Sequence, residues 1–155
     1  MVEAVLVRIR RATMNDLGEI ERFNELWLKE DRDYRRSLGD VSTLFLIAED
    51  DENQMLGFTS ATYNSWNNSV WLNQIVTHAE HRRRGLASEL LARVTDFAQK
   101  KRARVILIEC GLENKGAQLF DLKNNARICG YNDRYYARNV DKGTAVFFSI
   151  DIADA

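Results

Sequence analysis

Hydrophobic positions follow a two-residue period at the beginning of the chain and change to a helical period soon after. Every second residue from Val5 to Ile9 is β-branched and apolar, which predicts a first strand with one face toward solvent. Thr13 and Asp16 have the spacing of a helix start with an acidic residue in its first turn. Apolar residues then recur at helical spacing, and the polar segment 30–40 predicts a short second helix or a loop.

Three strands in an antiparallel meander are predicted next. The segments 45–49, 54–63 and 70–77 are rich in apolar, β-branched and aromatic residues, as is typical of strands. Polar segments that contain Asn and Asp separate them at 50–53 and 64–69, where the chain is expected to turn.

The second half of the chain predicts helices that alternate with strands. Leu86, Leu90, Val94 and Phe97 form a stripe at helical spacing, and polar side chains occupy the opposite face, as expected of a helix that packs on a sheet. The continuous apolar run 105–108 predicts a strand covered on both sides.

A further helix is predicted over about 114–126, with Gly130 near its C-terminal end. The residues expected on the inward side of this helix are Ala117, Leu119 and Phe120. Strands at 131–138 and 144–152, joined by a turn at 139–143, complete the pattern.

These elements predict a single α/β domain over residues 1–155. Their order indicates a mixed, mostly antiparallel central sheet of about seven strands flanked by about four helices. The strand–helix–strand unit 70–110 is expected to be a right-handed parallel crossover. Ligands of such sheets bind beyond the carboxyl end of a strand, near the beginning of the helix that follows it.

Composition and charge narrow the function classes. The chain has 155 residues, of which 45% are hydrophobic and 29% charged, and its formal net charge is -1. This balance gives no support to a general nucleic-acid or membrane-surface role, and no apolar stretch has the length of a membrane span. Two cysteines without His or Cys at ligand spacing predict no metal site. They fit free thiols in a cytoplasmic protein. The beginning of the chain has no signal-peptide pattern, which also favours a cytoplasmic protein.

The segment that opens the helix at Leu86 carries the clearest binding chemistry. It contains Arg82, Arg83, Arg84, Gly85, Leu86 and Ala87 and follows a predicted strand. The unpaired N–H groups of a first helical turn, together with the helix dipole, favour an anion such as a pyrophosphate. Gly85 lets the backbone approach a phosphate closely. The alternative interpretation is a solvated basic run beside a helix start.

Four short motifs lie in order along the chain: the segment 9–13 followed by Asp16, the segment 82–87, the segment 114–117, and Gly130–Tyr131. They resemble, in turn, the opening strand and helix, the Q/R-x-x-G-x-G/A signature, the Asn-x-x-Ala helix start and the aromatic Gly-Phe step of the GNAT superfamily of N-acetyltransferases. The resemblance extends over nearly the whole chain, and the four motifs together are more specific than any one alone.

The resemblance implies that the chain binds acetyl-CoA and transfers its acetyl group, by direct attack, to a primary amine of a small molecule or a protein. The thioester would enter a gap between 75–77 and 108–110, where a backbone N–H near Val76 would polarise its carbonyl. Asn114 would contact the cofactor arm, cap its own helix, or do both. The residues implied in cofactor binding are Ile75, Val76, Thr77, Arg82, Arg83, Arg84, Gly85, Leu86, Ala87, Ser88, Asn114, Ala117 and Phe120.

The residue that would accept the proton of the amine departs from the family's pattern. Many relatives carry a carboxylate on the fourth strand, where this chain has the amides Asn73 and Gln74. Glu109 on the fifth strand is the nearest candidate base, with a solvent-facing or ion-paired strand residue as the alternative, and Gln74 is expected to orient a water. His78 and His81 flank the site, and a structural or solvated position is favoured for both.

The residue that would protonate the leaving thiolate departs from the pattern as well. Relatives often have a tyrosine on the helix after Asn-x-x-Ala, and this chain has Phe120 or Asp121 there, depending on the alignment. Tyr131, Tyr135 or Tyr136 could supply a hydroxyl, with strand packing as the alternative. The expected catalytic residues are therefore Glu109, Gln74 and Tyr131.

Two other function classes stay open at this point. A non-catalytic acetyl-CoA-binding sensor or partner module would explain the two amides and the missing tyrosine. A nucleic-acid binder that uses 82–84 conflicts with the net charge and with the lack of aromatic residues in that run.

An acidic cluster at Glu25, Glu30, Asp31 and Asp33 would suit a cationic amine, or is a solvated helix face. A homodimer is common among similar proteins, and the sequence identifies neither the oligomeric state nor the acceptor nor the length of the acyl group.

Overall fold

The computed structural model describes residues 6–153, so Val5 of the predicted opening strand lies outside the described residues. Seven strands and five α-helices follow one another within this range. The strands and the first four helices have the order that the sequence predicts, and the fifth helix is additional. The strands are β1 (Arg8–Arg11), β2 (Thr43–Glu49), β3 (Met55–Asn64), β4 (Ser69–Thr77), β5 (Val105–Gly111), β6 (Arg127–Asn132) and β7 (Ala145–Asp151). The helices are α1 (Leu17–Trp27), α2 (Tyr34–Gly39), α3 (Leu86–Lys100), α4 (Lys115–Lys123) and α5 (Val140–Gly143).

The strands form one mixed sheet in the order β1-β2-β3-β4-β5-β7-β6. The pairs β1–β2, β2–β3, β5–β7 and β6–β7 are antiparallel, and β4 pairs with β5 in parallel. The parallel pairing joins Ser69–Trp71 to 105–107, and both strands continue beyond the last pair. The predicted mixed, mostly antiparallel seven-stranded sheet is confirmed.

The chain divides into two compact units. The first unit comprises residues 6–62 and Asn73–Val94, and the second comprises Tyr63–Leu72 and residues 95–153. The elements β3, β4 and α3 run from one unit into the other. The single domain expected from the chain length stays a prediction.

The first unit has a core of aromatic side chains around Phe58. The Phe58 ring is fully buried, and its centroid lies 5.5 Å from that of Phe45, 5.8 Å from that of Phe23 and 6.0 Å from that of Tyr34. Tilted and edge-on pairs of this kind add about 0.5–1.5 kcal/mol each to the free energy gained by burial. The helical stripe predicted along α1 therefore supplies Phe23 to this core, and Tyr34 of α2 joins it.

An ionic cluster fixes the entry into α1. Both terminal nitrogens of Arg10 donate to the Asp16 carboxylate at 2.9 Å, and its Nε donates to Glu49 at 3.1 Å. The Thr13 N–H also donates to Asp16, at 2.7 Å, which confirms the helix start that the sequence predicts. Hydrogen bonding to Arg10 lowers the pKa of Asp16 to about 2.

The second unit differs from the prediction in several details. Strand β5 alternates between buried Ile106 and Ile108 and half-buried neighbours, so it is not equally covered on both faces. Helix α4 ends at Lys123, followed by Asn125 in the left-handed region at φ 66°. Gly130 does not cap this helix but follows it in β6, because asparagine tolerates the left-handed conformation and takes that position at the helix end.

Three other details of the same region are corrected. Gly130 and Tyr131 lie inside β6, beside a register shift, so the predicted strand 131–138 begins and ends too late. The segment 139–143 contains the short helix α5 in place of a simple turn. Leu119 is 67% exposed and does not face inward.

Gly57 lets β3 and β4 approach each other in the first unit. A Cβ placed on Gly57 would overlap the carbonyl oxygen of Val76 and lie 3.1 Å from the Cα of Thr77. Both of these neighbours are backbone atoms, which cannot rotate away as a side chain can. No residue larger than glycine therefore fits here without displacing β4.

We expect Gly57→Ala to lower the free energy of unfolding by about 1–3 kcal/mol, because the added methyl group forces β3 and β4 apart. Guanidinium denaturation followed by circular dichroism measures this change. Gly18→Ala is the matched control, since a Cβ on Gly18 in α1 meets no atom within 4 Å. It should leave stability unchanged or raise it by up to about 1 kcal/mol. Equal stabilities for the two variants would contradict the close approach.

Candidate functional site

The turn before α3 has the backbone of an anion-binding loop. Arg83 and Gly85 have left-handed φ angles of 62° and 81°, and Arg84 between them does not. When left-handed and other backbone conformations alternate along successive residues, neighbouring backbone N–H groups point toward one position. A Cβ on Gly85 would meet no atom within 4 Å, so the space beside this residue is open. The residues therefore fit a phosphate group at this position.

Charge and helix geometry reinforce this turn. The Gly85 carbonyl accepts the Glu89 N–H at 3.0 Å, so the helical hydrogen bonds of α3 begin at Gly85. The first N–H groups of any helix have no partner within it and carry the positive end of the dipole. Arg82, Arg83 and Arg84 are all exposed, and their charges add to the attraction for an anion.

The predicted cofactor strand lies beside this turn in the first unit. Val76 is buried in the aromatic core, and Ile75 and Thr77 are half-buried. The next residue, His78, donates its backbone N–H to Leu56 at 2.6 Å, and its ring packs edge-on against Trp27 at 4.7 Å between centroids. His78 therefore takes part in the packing of the first unit.

The other predicted cofactor and catalytic residues lie in the second unit. Asn114 caps α4, with its Oδ1 accepting the Ala117 N–H at 3.1 Å. Ala117 and Phe120 are half-buried. Glu109 is half-buried on β5, and its charge contributes to the raised pKa of Tyr136, whose main cause is burial. Tyr131 is 67% exposed on β6.

A polar cavity of about 280 Å³ lies in the first unit, between α2 and strands β2 to β4. Its charged lining residues are Arg32, Asp33, Arg36 and Asp40. Its hydroxyl and amide lining residues are Tyr34, Ser37, Thr43, Ser60, Thr62, Asn73 and Gln74. Hydrogen-bonding groups dominate this lining, so the cavity suits a small polar ligand.

Two residues that line this cavity each have a buried polar atom that lacks a hydrogen-bond partner among the described residues. These atoms are the Tyr34 hydroxyl and the Gln74 Oε1, on side chains of residues that are 3% and 6% exposed. Burial raises the pKa of Tyr34, and the neighbouring Gln74 amide partly offsets that rise, although the two groups do not meet in hydrogen-bond geometry. Such groups cost about 1–3 kcal/mol each when unsatisfied, and a ligand could satisfy them.

Each β4 amide donates a hydrogen bond from its NH₂ end, Gln74 to a carboxylate and Asn73 to a hydroxyl. Gln74 Nε2 donates to Glu30 Oε2 at 2.7 Å. Asn73 Nδ2 donates to the Thr62 hydroxyl at 2.8 Å, which lies 2.8 Å from the Thr43 hydroxyl. Thr43 in turn donates to Asp40 at 2.9 Å. Both amides are therefore held in one orientation.

Sequence reasoning missed the roles of Tyr34 and of Glu30 at this cavity. Glu30 is 44 positions from Gln74, so no local pattern links the two residues. Two signals were present: the pair of amides on β4, where a carboxylate was expected, and the acidic cluster that includes Glu30.

Asp121 is a buried carboxylate in the second unit. It is 3% exposed on α4, and its Oδ2 has no hydrogen-bond partner in the described part of the chain. Burial raises the pKa of Asp121 to about 7. Burial, with the charges of Asp121 and Glu109, also raises the pKa of Cys110 to about 11. Cys110 and Cys129 are both free thiols.

Two classes of feature are not found in residues 6–153. No group of three or more His, Cys, Asp and Glu side chains is arranged there to hold a metal ion. No helix in this range has both the length and the apolar character that crossing a membrane requires.

Comparison with known proteins identifies a family. Residues 8–121 match the model of the acetyltransferase (GNAT) family. Comparison with curated protein sequences gave no significant match.

Solved structures share the fold over nearly their whole length. Arabidopsis thaliana NAA60 in complex with a bisubstrate analogue has a TM-score of 0.84 at 14% identity, covering 97% of this chain and 100% of that one. The ribosomal-protein-S18-alanine N-acetyltransferase from Escherichia coli has a TM-score of 0.82 at 15% identity, covering 97% and 96%. A putative streptothricin acetyltransferase from Bacillus anthracis, in complex with acetyl coenzyme A, has a TM-score of 0.78 at 18% identity, covering 96% and 99%.

The raised pKa of Asp121 predicts a pH dependence of stability. Between pH 3.8 and about 7 the folded chain keeps a proton that the unfolded chain has lost, so stability falls as pH rises through this window. We expect Asp121→Asn to be more stable than the wild type by up to about 4 kcal/mol above pH 8, and by much less at pH 4. Urea denaturation at both pH values measures this difference.

Asp96→Asn is the control for this measurement, because Asp96 is exposed on α3. It should show no such pH dependence relative to the wild type. The same stability difference at both pH values for Asp121→Asn would contradict the burial of an ionisable carboxyl at this position.

Proposed function

The chain belongs to the GNAT family of acetyltransferases, which use acetyl-CoA as acyl donor, and from this premise we propose that its acceptor is a primary amine of a small molecule or a protein. The acetyl thioester supplies an electrophilic carbonyl that the amine attacks directly. An amine with a pKa near 10.4 costs about 4 kcal/mol to deprotonate at neutral pH. Groups that bind the amine and accept its proton are therefore useful.

The turn before α3 is the observation that carries the cofactor part of the proposal. Arg83 and Gly85, on either side of Arg84, have left-handed backbone conformations, and the space beside Gly85 is open. In our proposal the N–H groups along 83–88 hold the pyrophosphate, and the arginine side chains compensate its charge. The backbone of 75–77 pairs with the pantetheine arm. Contacts of Asn114, Ala117 and Phe120 with the cofactor stay predictions from the family resemblance.

The polar cavity of the first unit is the proposed acceptor site. Support comes from the unpartnered atoms of Tyr34 and Gln74, which an amine and its neighbouring polar groups would satisfy. Asp33 and Asp40 also line the cavity and would favour a cationic amine, while Arg32 and Arg36 balance their charge. An acceptor that carries both an amine and other polar groups fits this lining best.

The proposed proton transfers use three residues. Glu109 on β5 is the candidate base, Gln74 orients the amine or a water, and Tyr131 is the candidate donor to the leaving thiolate. The half-buried position of Glu109 supports its role, whereas the exposure of Tyr131 gives its role less support. The thiol of the product has a pKa near 8.5 and is a fair leaving group without an acid.

The remaining expectations concern the setting of the enzyme. We propose a cytoplasmic location, which the free thiols Cys110 and Cys129 support. Formation of a homodimer stays a prediction. The alternative of a non-catalytic acetyl-CoA-binding module gains no support from the comparisons with known proteins.

We expect Gly85→Glu to abolish acetyl-CoA binding, because it places a side chain and a negative charge where the pyrophosphate would lie. Isothermal titration calorimetry with acetyl-CoA measures this loss. Gly85→Ala separates the effect of charge from that of backbone conformation, since any side chain at φ 81° is strained. Gly18→Glu adds the same charge elsewhere in the first unit. Unchanged affinity of a folded Gly85→Glu variant would exclude the turn as the cofactor site.

We expect Glu109→Gln to lower kcat by about 100-fold or more while the affinity for acetyl-CoA stays within about twofold, if Glu109 is the general base. Release of the CoA thiol across pH 6 to 10 measures turnover, and the deficit should shrink toward pH 10, because a growing share of the amine is then neutral without a base. Glu113→Gln is the matched control, because Glu113 is exposed in the turn after β5. A kcat equal to that of this control would assign Glu109 a structural role.

A further inference from the structure

Gln74 is oriented by a residue that does not itself line the cavity. We infer that Glu30 is a positioning residue, which holds the Gln74 amide so that its carbonyl oxygen receives an N–H group of the acceptor amine. This inference rests on the proposed function, because it takes the polar cavity of the first unit as the acceptor site.

The orientation of the Gln74 amide follows from the chemistry of its partner. Glu30 Oε2 lies 2.7 Å from the terminal nitrogen of Gln74. A carboxylate only accepts hydrogen bonds, so the NH₂ end of the amide must face Glu30. The opposite orientation would place two oxygen atoms in contact. The carbonyl oxygen Oε1 is consequently turned away from Glu30.

Glu30 itself is held from three directions. The side chain of Asn24, which is 9% exposed on α1, donates to the Glu30 carbonyl at 2.8 Å and accepts the Glu30 N–H at 3.2 Å. Arg32 Nε donates to the same carboxylate oxygen as Gln74 does, at 2.6 Å. Lys29, with a left-handed φ of 54°, lies just before Glu30. The backbone of Glu30 is therefore held by Asn24, and its carboxylate, on a side chain that is 43% exposed, is paired with Arg32 and Gln74.

The fixed amide makes the site selective for hydrogen-bond donors. Gln74 Oε1 is buried and has no partner among residues 6–153, and an amine N–H would satisfy it. A ligand atom that only accepts, such as an ether oxygen, would leave it unpaired. Loss of one such hydrogen bond in a buried site weakens binding by about tenfold. The Tyr34 hydroxyl can donate or accept, so the selectivity comes from Gln74.

Two substitutions of Glu30 test this inference in opposite directions. Glu30→Lys puts a donor where the carboxylate was, so the Gln74 amide should turn over and present its NH₂ group to the amine. Glu30→Gln keeps an oxygen that can accept from Gln74 Nε2. The matched control is Glu21→Lys, which makes the same charge change at an exposed position of α1.

Steady-state kinetics use 1,4-diaminobutane, ethanolamine and a tripeptide with a free N-terminus as acceptors, with release of the CoA thiol as the signal. We expect Glu30→Lys to raise the KM of the amine by about tenfold or more. The KM of acetyl-CoA should stay within twofold, and Glu30→Gln should retain a KM near that of the wild type. Equal amine KM values for Glu30→Lys and Glu21→Lys would overturn the inference.

A second measurement separates this inference from the proposed function. The side-chain NH₂ resonances of Gln74 in ¹⁵N-labelled protein report the hydrogen bond to Glu30 without any turnover. We expect slow hydrogen exchange of this group in the wild type and in Glu30→Gln, and fast exchange in Glu30→Lys. The same exchange rate in all three would refute the orienting contact. Absence of turnover with every amine, together with the expected exchange rates, would count against the proposed function and leave the orienting contact supported.

Discussion

The close backbone contact between Gly57 and Val76 fixes β4, and most of the proposed functional groups of the first unit lie on this strand or next to it. Because a side chain at position 57 would overlap the Val76 carbonyl, β3 and β4 keep their spacing only with glycine there. The same strand carries Asn73 and Gln74 toward the cavity, followed by the predicted cofactor residues 75–77. One strand thus sets the positions of groups with different proposed chemical tasks.

Hydrogen-bond polarity gives the cavity its chemical character. Two amides have no charge, yet each is oriented by a carboxylate that can only accept: Glu30 holds Gln74 directly, and Asp40 holds Asn73 through the hydroxyls of Thr62 and Thr43. The carboxylates of Glu30 and Asp40 therefore lie on the side of the NH₂ groups. The carbonyl oxygens of the two amides point away from the groups that accept from their NH₂ ends. An amide fixed in this way can bind an amine but cannot take its proton, so a base is still needed.

The sequence allowed the order of the elements and the turn before α3 to be predicted, because both depend on local patterns. The helical stripe of α3 and the motif 82–87 are short-range features. The predicted helix 114–126 extends too far, since α4 ends at Lys123 and Asn125 adopts the left-handed conformation there. The contact of Glu30 with Gln74 joins distant segments through a buried side chain, and no periodicity reveals such a pair.

The unpartnered atoms of Tyr34 and Gln74 also link ligand recognition to the stability of the whole chain. A molecule that binds only the folded state raises the free energy of unfolding by an amount that grows with its concentration relative to its Kd. A compound that satisfies both buried atoms would therefore raise the melting temperature more than one that satisfies neither. Thermal denaturation across a collection of amines can thus rank acceptors before any turnover is detected.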